Sequence, residues 1–464
     1  MRLALSLICV FLMCGCPQAP GERSLTEAVA DLQQRALQDE TAWRLLESLT
    51  GEVGPRMAGS AADARAVAWA VEQMNDLGFD RVWLEPVDFP LWVRDSESGR
   101  VLSPEGFELD LTALGGTPGT GGALRGEVVH FESLQTLEAA EPGSLDGKIA
   151  FISAAMRRDQ GAAGYGETVP QRSRGPFVAA RKGATALLIR SIGTDTRNSA
   201  PHTGNVTSLE PGEPLPAAAL SNASADRLVE LLQGEGPVTL ELELDVGYRG
   251  RASSHNVIGE FTGDSGNGEF VLIGGHLDSW DLGPSAHDDG AGVAITLAAA
   301  KLVADQAPRP TRGIRVVLFA NEEQGIYGGK AYAAAHADEL RQHVLGSESD
   351  LGAGRIFEYR TRVNVAAEPA IAELAELLTP LGIPRSSGAL ASGGADIGQM
   401  RKIGLPVIDL RHDASLYFDL HHTRNDTLDT VAPADLQFNV AAYVTLLQWA
   451  AASDTAFGPV EPSE

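Results

Sequence analysis

A histidine and an aspartate two residues apart, two adjacent aspartates, two adjacent glutamates and two adjacent histidines are the chemistry-bearing features of this sequence. In order they are His276 and Asp278, Asp288 and Asp289, Glu322 and Glu323, the single Asp350, and His421 and His422. Neutral imidazole and carboxylate oxygen are the donors that zinc takes where no thiolate is offered. None is offered here: Cys9, Cys14 and Cys16 are the three cysteines, all within the first sixteen residues, which also excludes an internal disulfide framework. His276, Asp288, Glu323, Asp350 and His422 suffice for two zinc ions sharing one carboxylate, and their charge balance lets the cluster be buried. Such a site polarises a carbonyl and activates water at neutral pH. Cobalt or manganese suit the same donors. Adjacent side chains cannot serve one metal pair in the same way, so Glu323 is assigned to metal and Glu322 to proton transfer. Asp278 is near enough in sequence to accept a hydrogen bond from the His276 imidazole and fix its tautomer.

A sheet must position these residues. Residues 270–273 (FVLI) form an uninterrupted apolar run ending in two glycines, the pattern of a strand buried on both faces, which leaves His276 at its carboxyl end. Residues 313–320 repeat the pattern and run straight into Asn321, Glu322 and Glu323, and Asp350 follows a further short strand. His421 and His422 sit in the polar loop 417–429 (YFDLHHTRNDTLD) ahead of an amphipathic helix at 435–451. Gly290 and Gly292 turn the chain from the aspartate pair into an alanine-rich helix at 293–303. Loops of this kind converge at the carboxyl ends of the strands in an open α/β sheet. Further helices are predicted at 25–49, 63–77 with Gly78 as cap, 330–340 and 369–381, and further strands at 81–87 and 406–410. The fold class is therefore α/β, a mostly parallel mixed sheet with helices on both faces.

A chain of 464 residues exceeds one average domain. A glycine- and threonine-rich stretch at 115–122 opens a change of texture, with short strands at 126–131, 148–153, 185–190 and 238–246 and helices at 175–182 and 220–232. We expect a smaller α/β module inserted at 117–245, a discontinuous main domain at 25–116 and 246–455, and a tail at 456–464 that frays from Pro459 to Glu464. His130 and His202 fall in the insertion and are assigned to packing or surface roles. With 36 Lys and Arg against 62 Asp and Glu, the formal net charge of -26 excludes nucleic acid and anionic membrane surfaces as partners. Arg2 and the apolar run 3–13 form a secretory signal, and Met13-Cys14-Gly15-Cys16 resembles a bacterial lipobox with Cys16 acylated. The expected layout is a lipoprotein-type signal peptide at 1–16, a tether at 17–24, and an exported protein of the cell envelope, anchored by lipid or secreted.

The segments GGHLDSWDLGPSAHDDGAG, NEEQG, ESDLG, GGADIG and FDLHHTRNDTLD, in this order, resemble the co-catalytic zinc aminopeptidase and carboxypeptidase family, in texture its carboxypeptidase Q branch. The similarity covers 51–92 and 256–451, and the insertion resembles the protease-associated domain of that family. The resemblance implies a dinuclear zinc exopeptidase hydrolysing dipeptides or the terminal bond of short peptides. His276 and Asp350 would bind one zinc, Glu323 and His422 the other, and Asp288 would bridge them. Asp278 would orient His276, Glu322 would be the general base, and the Asp288–Asp289 peptide would be cis. Many aminopeptidases of the family carry a tyrosine just before the last histidine ligand. His421 stands there, as in the carboxypeptidase Q branch, and is assigned to the substrate oxyanion. Asp426 is expected to support His422, and Trp280, Asp396 and Arg411 are candidates for the pocket wall. Partners are then peptide substrate and, in a homodimer, a second copy of the chain, with the membrane reached only through the lipid anchor. Two other readings use the same scaffold: a single-zinc glutaminyl cyclase-like enzyme, and a non-catalytic binding lipoprotein.

Overall fold

The computed structural model describes residues 24–196, 199–206 and 211–462. The expected signal peptide, the acylated Cys16 and nearly all of the tether lie outside them. Among the described residues thirteen strands follow in order: β1 (Arg81–Ser103), β2 (Phe107–Glu108), β3 (Leu111–Ala113), β4 (Leu124–Phe131), β5 (Ile149–Ile152), β6 (Ala186–Arg190), β7 (Ala217–Leu220) and β8 (Thr239–Phe261). β9 (Phe270–His276), β10 (Gly313–Phe319), β11 (His343–Glu348), β12 (Ile356–Arg362) and β13 (Val407–His412) complete them.

The strands that carry the chemistry form a mixed sheet ordered β12-β13-β11-β9-β10-β8, in which β13, β11, β9 and β10 are parallel. Every residue of β9 and β10 is buried. Alternate side chains point to opposite faces. Val271, Ile273, Val316 and Leu318 pack with the helices Ala291–Ala304 and Pro433–Ala452, whereas Leu272, Val317 and Phe319 pack with Tyr332, Ile397 and Met400. Cover on both faces is why these strands read as continuous apolar runs rather than alternating ones.

β1 and β8 are each 23 residues long and pair antiparallel from Arg81↔Glu260 to Ser103↔Thr239. Where a strand over 81–87 was expected, it runs on to Ser103, through Pro86 and Pro90. Among the described residues no strand lies on the outer side of that stretch, so two missing N–H donors break no ladder. The far half of β8 pairs with β4, and β4, β5, β6 and β7 follow in parallel order, with β3 antiparallel on β7. The predicted helix at 25–49 is two helices, Leu25–Ala36 and Thr41–Ser48. The tail packs down at Phe457, which is 1% exposed, and the expected fraying does not begin at Pro459, since the Val460 N–H donates to the Gly404 carbonyl.

At the amino-terminal ends of the strands, His343 is enclosed by a directed chain of hydrogen bonds. Its Nδ1 lies 3.0 Å from the Glu339 carbonyl, which can only accept, so Nε2 accepts the Tyr332 hydroxyl at 2.8 Å. Burial, helped by the nearby Arg315 and His336 charges and opposed by the Glu339 bond, pushes its pKa down to about 3. The ring is then neutral in the fold at pH 5, whereas the unfolded chain takes up a proton below the ordinary value of 6.5. Its stability contribution is complete above pH 6.5 and is lost as pH falls, by about 2 kcal/mol between pH 8 and pH 5. Denaturant unfolding of wild type and His343→Gln at those two pH values checks this. Wild type is expected to lose about 2 kcal/mol more than the variant over the interval, and equal losses contradict it.

Candidate metal centre

Register sets the site. β9 and β10 pair so that His276 stands opposite Phe319, placing His276, the Glu322–Glu323 pair and, after β11, Asp350 along one edge of the sheet. The aspartate pair is locked beside them by Asp289, whose fully buried carboxylate accepts the backbone N–H groups of His276 and Gly292, each at 3.1 Å. A Cβ at Gly275 or at Gly292 would overlap that carboxylate, so both glycines are needed for its close approach. Burial holds its proton affinity well above the usual range. The Asp288–Asp289 peptide is cis.

Asp288 is the centre of the cluster. Its Oδ1 is 3.3 Å from His276 Nε2, and its Oδ2 is 3.1 Å from His422 Nε2 and 3.6 Å from His421 Nε2. Asp350 lies 3.7 Å from His276 Nε2, and Glu323 lies 3.0 Å from His422 Nε2. Sets of donors within reach of a single ion are His276, Asp288 and Asp350 on one side and Asp288, His421 and His422 on the other. Both Glu323 and His421 therefore stand next to the second position. Glu323 Oε1 and Asp288 Oδ2 are buried without a hydrogen-bond partner, so the carboxylates point spare lone pairs into the cluster. Oxygen and imidazole donors with unspent capacity, converging on one shared carboxylate, fit zinc. Burial disfavours the imidazolium at His276 and His422, but facing carboxylates outweigh it and raise both well above the usual histidine range. His421 is pushed well below it by burial and by the charge of His422, on which its ring stacks at 3.5 Å.

Glu322 lines the pocket beside the cluster. Its backbone N–H donates to Asp278 Oδ1 at 3.0 Å, and burial, reinforced by Asp350 and Glu323, holds its carboxyl well above the ordinary glutamate range.

Two expected supports differ from the structure. His276 Nδ1 donates to the Asp278 backbone carbonyl at 3.0 Å, while the Asp278 carboxylate stands 3.7 Å away and is engaged by Glu322. The tautomer is still fixed, since a carbonyl only accepts. Asp426 does not touch His422 but accepts the backbone N–H groups of His287 at 2.7 Å and Asp288 at 3.0 Å, fixing the turn that presents Asp288. Its pKa is pushed up to about 7 by burial.

The other wall candidates stand behind the site. Trp280 packs edge-on to Trp92 and His422, Asp396 accepts the Gly329 N–H, and Arg411 donates to the Gly161 carbonyl.

Several contributors carry no local sequence signal. Arg56, fully buried, donates to the carbonyls of Leu277, Pro284 and Ser285 and so pins the loop after β9. His422 Nδ1 meets the carbonyl of Thr203 at 3.2 Å, and His202, assigned to packing, packs against the site itself with Nδ1 2.6 Å from the His421 carbonyl. Tyr165 and Arg172 reach the pocket from the same part of the chain. The pocket has a volume of about 350 Å³. A larger cavity of about 490 Å³ opens at the other end of the strands, beside Glu269, Arg312 and Phe457, remote from the cluster.

Residues 256–446 match the model of "Peptidase family M28". Carboxypeptidase Q of Bos taurus is 33% identical over 416 residues, covering 88% of this chain and 83% of its own. The crystal structure of a peptidase M28 precursor from Shewanella amazonensis superposes with a TM-score of 0.91 at 45% identity, covering 95% of this chain and 99% of that one. A zinc aminopeptidase from Bacillus subtilis shares the fold, with a TM-score of 0.62 at 20% identity over 87% of this chain and 94% of its own.

Proposed function

The chain belongs to peptidase family M28 and is a metallo-exopeptidase, and from that premise we propose that it uses two zinc ions to hydrolyse dipeptides or the terminal bond of short peptides. The observation that carries this reading is the placement of one carboxylate, Asp288, between two imidazoles at 3.3 and 3.1 Å, each with a further carboxylate beside it. His276 and Asp350 would hold one zinc, His422 and Glu323 the other, and Asp288 both. Glu323 is preferred over His421 at the second position because a carboxylate neutralises cation charge and its Oε1 has no other partner. When bound, zinc polarises the scissile carbonyl and makes water nucleophilic near neutral pH.

The remaining steps belong to the protein. Glu322, next to the cluster and with raised proton affinity, takes the proton of the attacking water and returns it to the leaving amine. His421, whose pocket-side ring is buried among Tyr165, Tyr417 and Phe418, is fixed to face the oxygen that gains negative charge. His421→Ala is expected to lower kcat by about a hundredfold with little change in KM, and an unchanged turnover removes His421 from the reaction.

Segment 117–245 is proposed as the inserted protease-associated-like module, on the support of its own parallel strands and of the contacts that His202 and Thr203 make with the histidine pair. Export, with lipid at Cys16, is part of the same reading. Among the described residues no helix is long and apolar enough to cross a membrane.

The test is a panel of unblocked dipeptides offered to the zinc-loaded protein, with metal content measured alongside. Hydrolysis at two zinc per chain is expected. One zinc per chain with cyclisation of amino-terminal glutamine favours the cyclase-like alternative, and no turnover favours a binding role.

A further inference from the structure

Two side chains that line the pocket have bonding capacity that nothing among the described residues uses. Arg172, in the short helix Pro170–Ser173, is only 7% exposed. Its Nη2 donates to the Tyr165 hydroxyl at 2.6 Å, its Nη1 makes a long contact of 3.4 Å with the Thr203 carbonyl, and its Nε has no partner among the described residues. It forms no ion pair with a carboxylate among the described residues. Other arginines buried as deeply are satisfied differently: Arg190, Arg312 and Arg315 pair with Asp226, Glu269 and Glu260, and Arg56 is held by three carbonyls. A buried guanidinium without an anion is costly unless something else supplies the charge.

Tyr165 adds to the demand. A guanidinium only donates, so the Tyr165 oxygen accepts from Arg172 and its own proton is left to give, with no acceptor among the described residues. The ring is held edge-on to His421 at 5.3 Å and stacked on Phe418 at 4.9 Å, beside the proposed metal ligands. A second cation at the pocket, Lys330, is exposed and donates to the Gly325 carbonyl, so it is neither buried nor wanting a partner. A planar guanidinium next to a free hydroxyl proton is the donor pattern for a carboxylate.

We propose that Arg172 and Tyr165 form the subsite for the free α-carboxylate of the peptide substrate. The proposal rests on the peptidase reading above and narrows it to peptides with an unblocked carboxyl terminus within the reach of a pocket of about 350 Å³. The pocket end that recognises the substrate then comes from segment 117–245, and the end that reacts comes from the loops after β9, β10, β11 and β13.

Binding separates this from turnover. Zinc-loaded Glu322→Gln protein, titrated calorimetrically, is expected to bind L-alanyl-L-leucine roughly ten- to a hundredfold more tightly than L-alanyl-L-leucinamide, the range for losing charge-assisted hydrogen bonds. Adding Arg172→Gln is expected to bring the ratio to about one, Arg172→Lys to keep part of it, and Tyr165→Phe, which removes a single oxygen, to lower it severalfold. Circular dichroism establishes that each variant is folded, and Tyr165→Phe serves if the arginine variants are not. A ratio that survives Arg172→Gln, or Tyr165→Phe where the arginine variants do not fold, overturns the proposal, as does equal binding of acid and amide with Arg172 present. If wild type hydrolyses the dipeptide and the ratio ignores Arg172, the subsite fails and the peptidase reading stands. If Arg172 sets the ratio but wild type hydrolyses neither ligand, the subsite stands and the peptidase reading fails.

Discussion

Glu322→Gln is expected to lower kcat on an unblocked dipeptide by about a thousandfold while leaving KM and bound zinc within about twofold. Glutamine keeps the shape of the side chain, and the backbone N–H that ties this residue to the Asp278 carboxylate is untouched, so the loop after β10 holds its course. What is lost is the ability to accept a proton. Glu322 and Glu323 are adjacent but not equivalent: Glu323 touches His422 at 3.0 Å, whereas Glu322 borders the pocket without an ion-pair contact to either metal-facing imidazole. Glu323→Gln should therefore lower zinc content, and Glu322→Gln should not. A fall in kcat below about tenfold with zinc retained would place the proton transfer on another group.

The placement of those two glutamates at the sheet edge could be read from sequence because a buried strand runs straight into them. β9 and β10 are legible for a physical reason: both faces are covered, so no polar residue interrupts Phe270–Ile273 or Val316–Phe319. The convergence of His276, Asp288, Glu323, Asp350 and His422 was readable because the loop after each strand must open at the same sheet edge. Legibility fails where contacts are made by backbone or by distant segments. Only Leu277 separates His276 from Asp278, and the short reach favours the main-chain carbonyl over the carboxylate, which spacing alone does not reveal. Asp426 acts on backbone N–H groups of residues 138 and 139 positions away. The continuation of β1 from Asp88 to Ser103 hides because Pro90 interrupts its pattern, and only the sheet shows that its outer side needs no donor there. β12 escaped prediction, as its mixed residues IFEYRTR face the core on one side only. Arg172, Tyr165 and Thr203 lie more than two hundred positions from the histidines they surround and sit in no chemical motif.

Zinc binding is expected to release at least about one proton per ion at pH 7, and chelation to abolish activity and lower the melting temperature, more at pH 8 than at pH 5.5. The sign follows from the cluster. His276 and His422 are held above the usual histidine range by facing carboxylates, and Glu323 above the usual glutamate range by burial, so the metal-free protein carries protons on the groups that must bind metal. Binding expels them, and the apparent affinity must climb with pH until they are gone. The stabilisation by zinc follows the affinity, reaching about 4 kcal/mol when free zinc is a thousand times its dissociation constant, and shrinks as acid competes for Nε2 of both histidines. Calorimetric zinc titration in two buffers of different ionisation enthalpy counts the protons, and melting curves with and without chelator at the two pH values read the stability. Heat that does not depend on the buffer, or a chelator effect that grows toward acid, would mean that the imidazoles and carboxylates around Asp288 are not what zinc displaces protons from. The proposed ligand set would then have to be redrawn, even if the enzyme proved to need zinc.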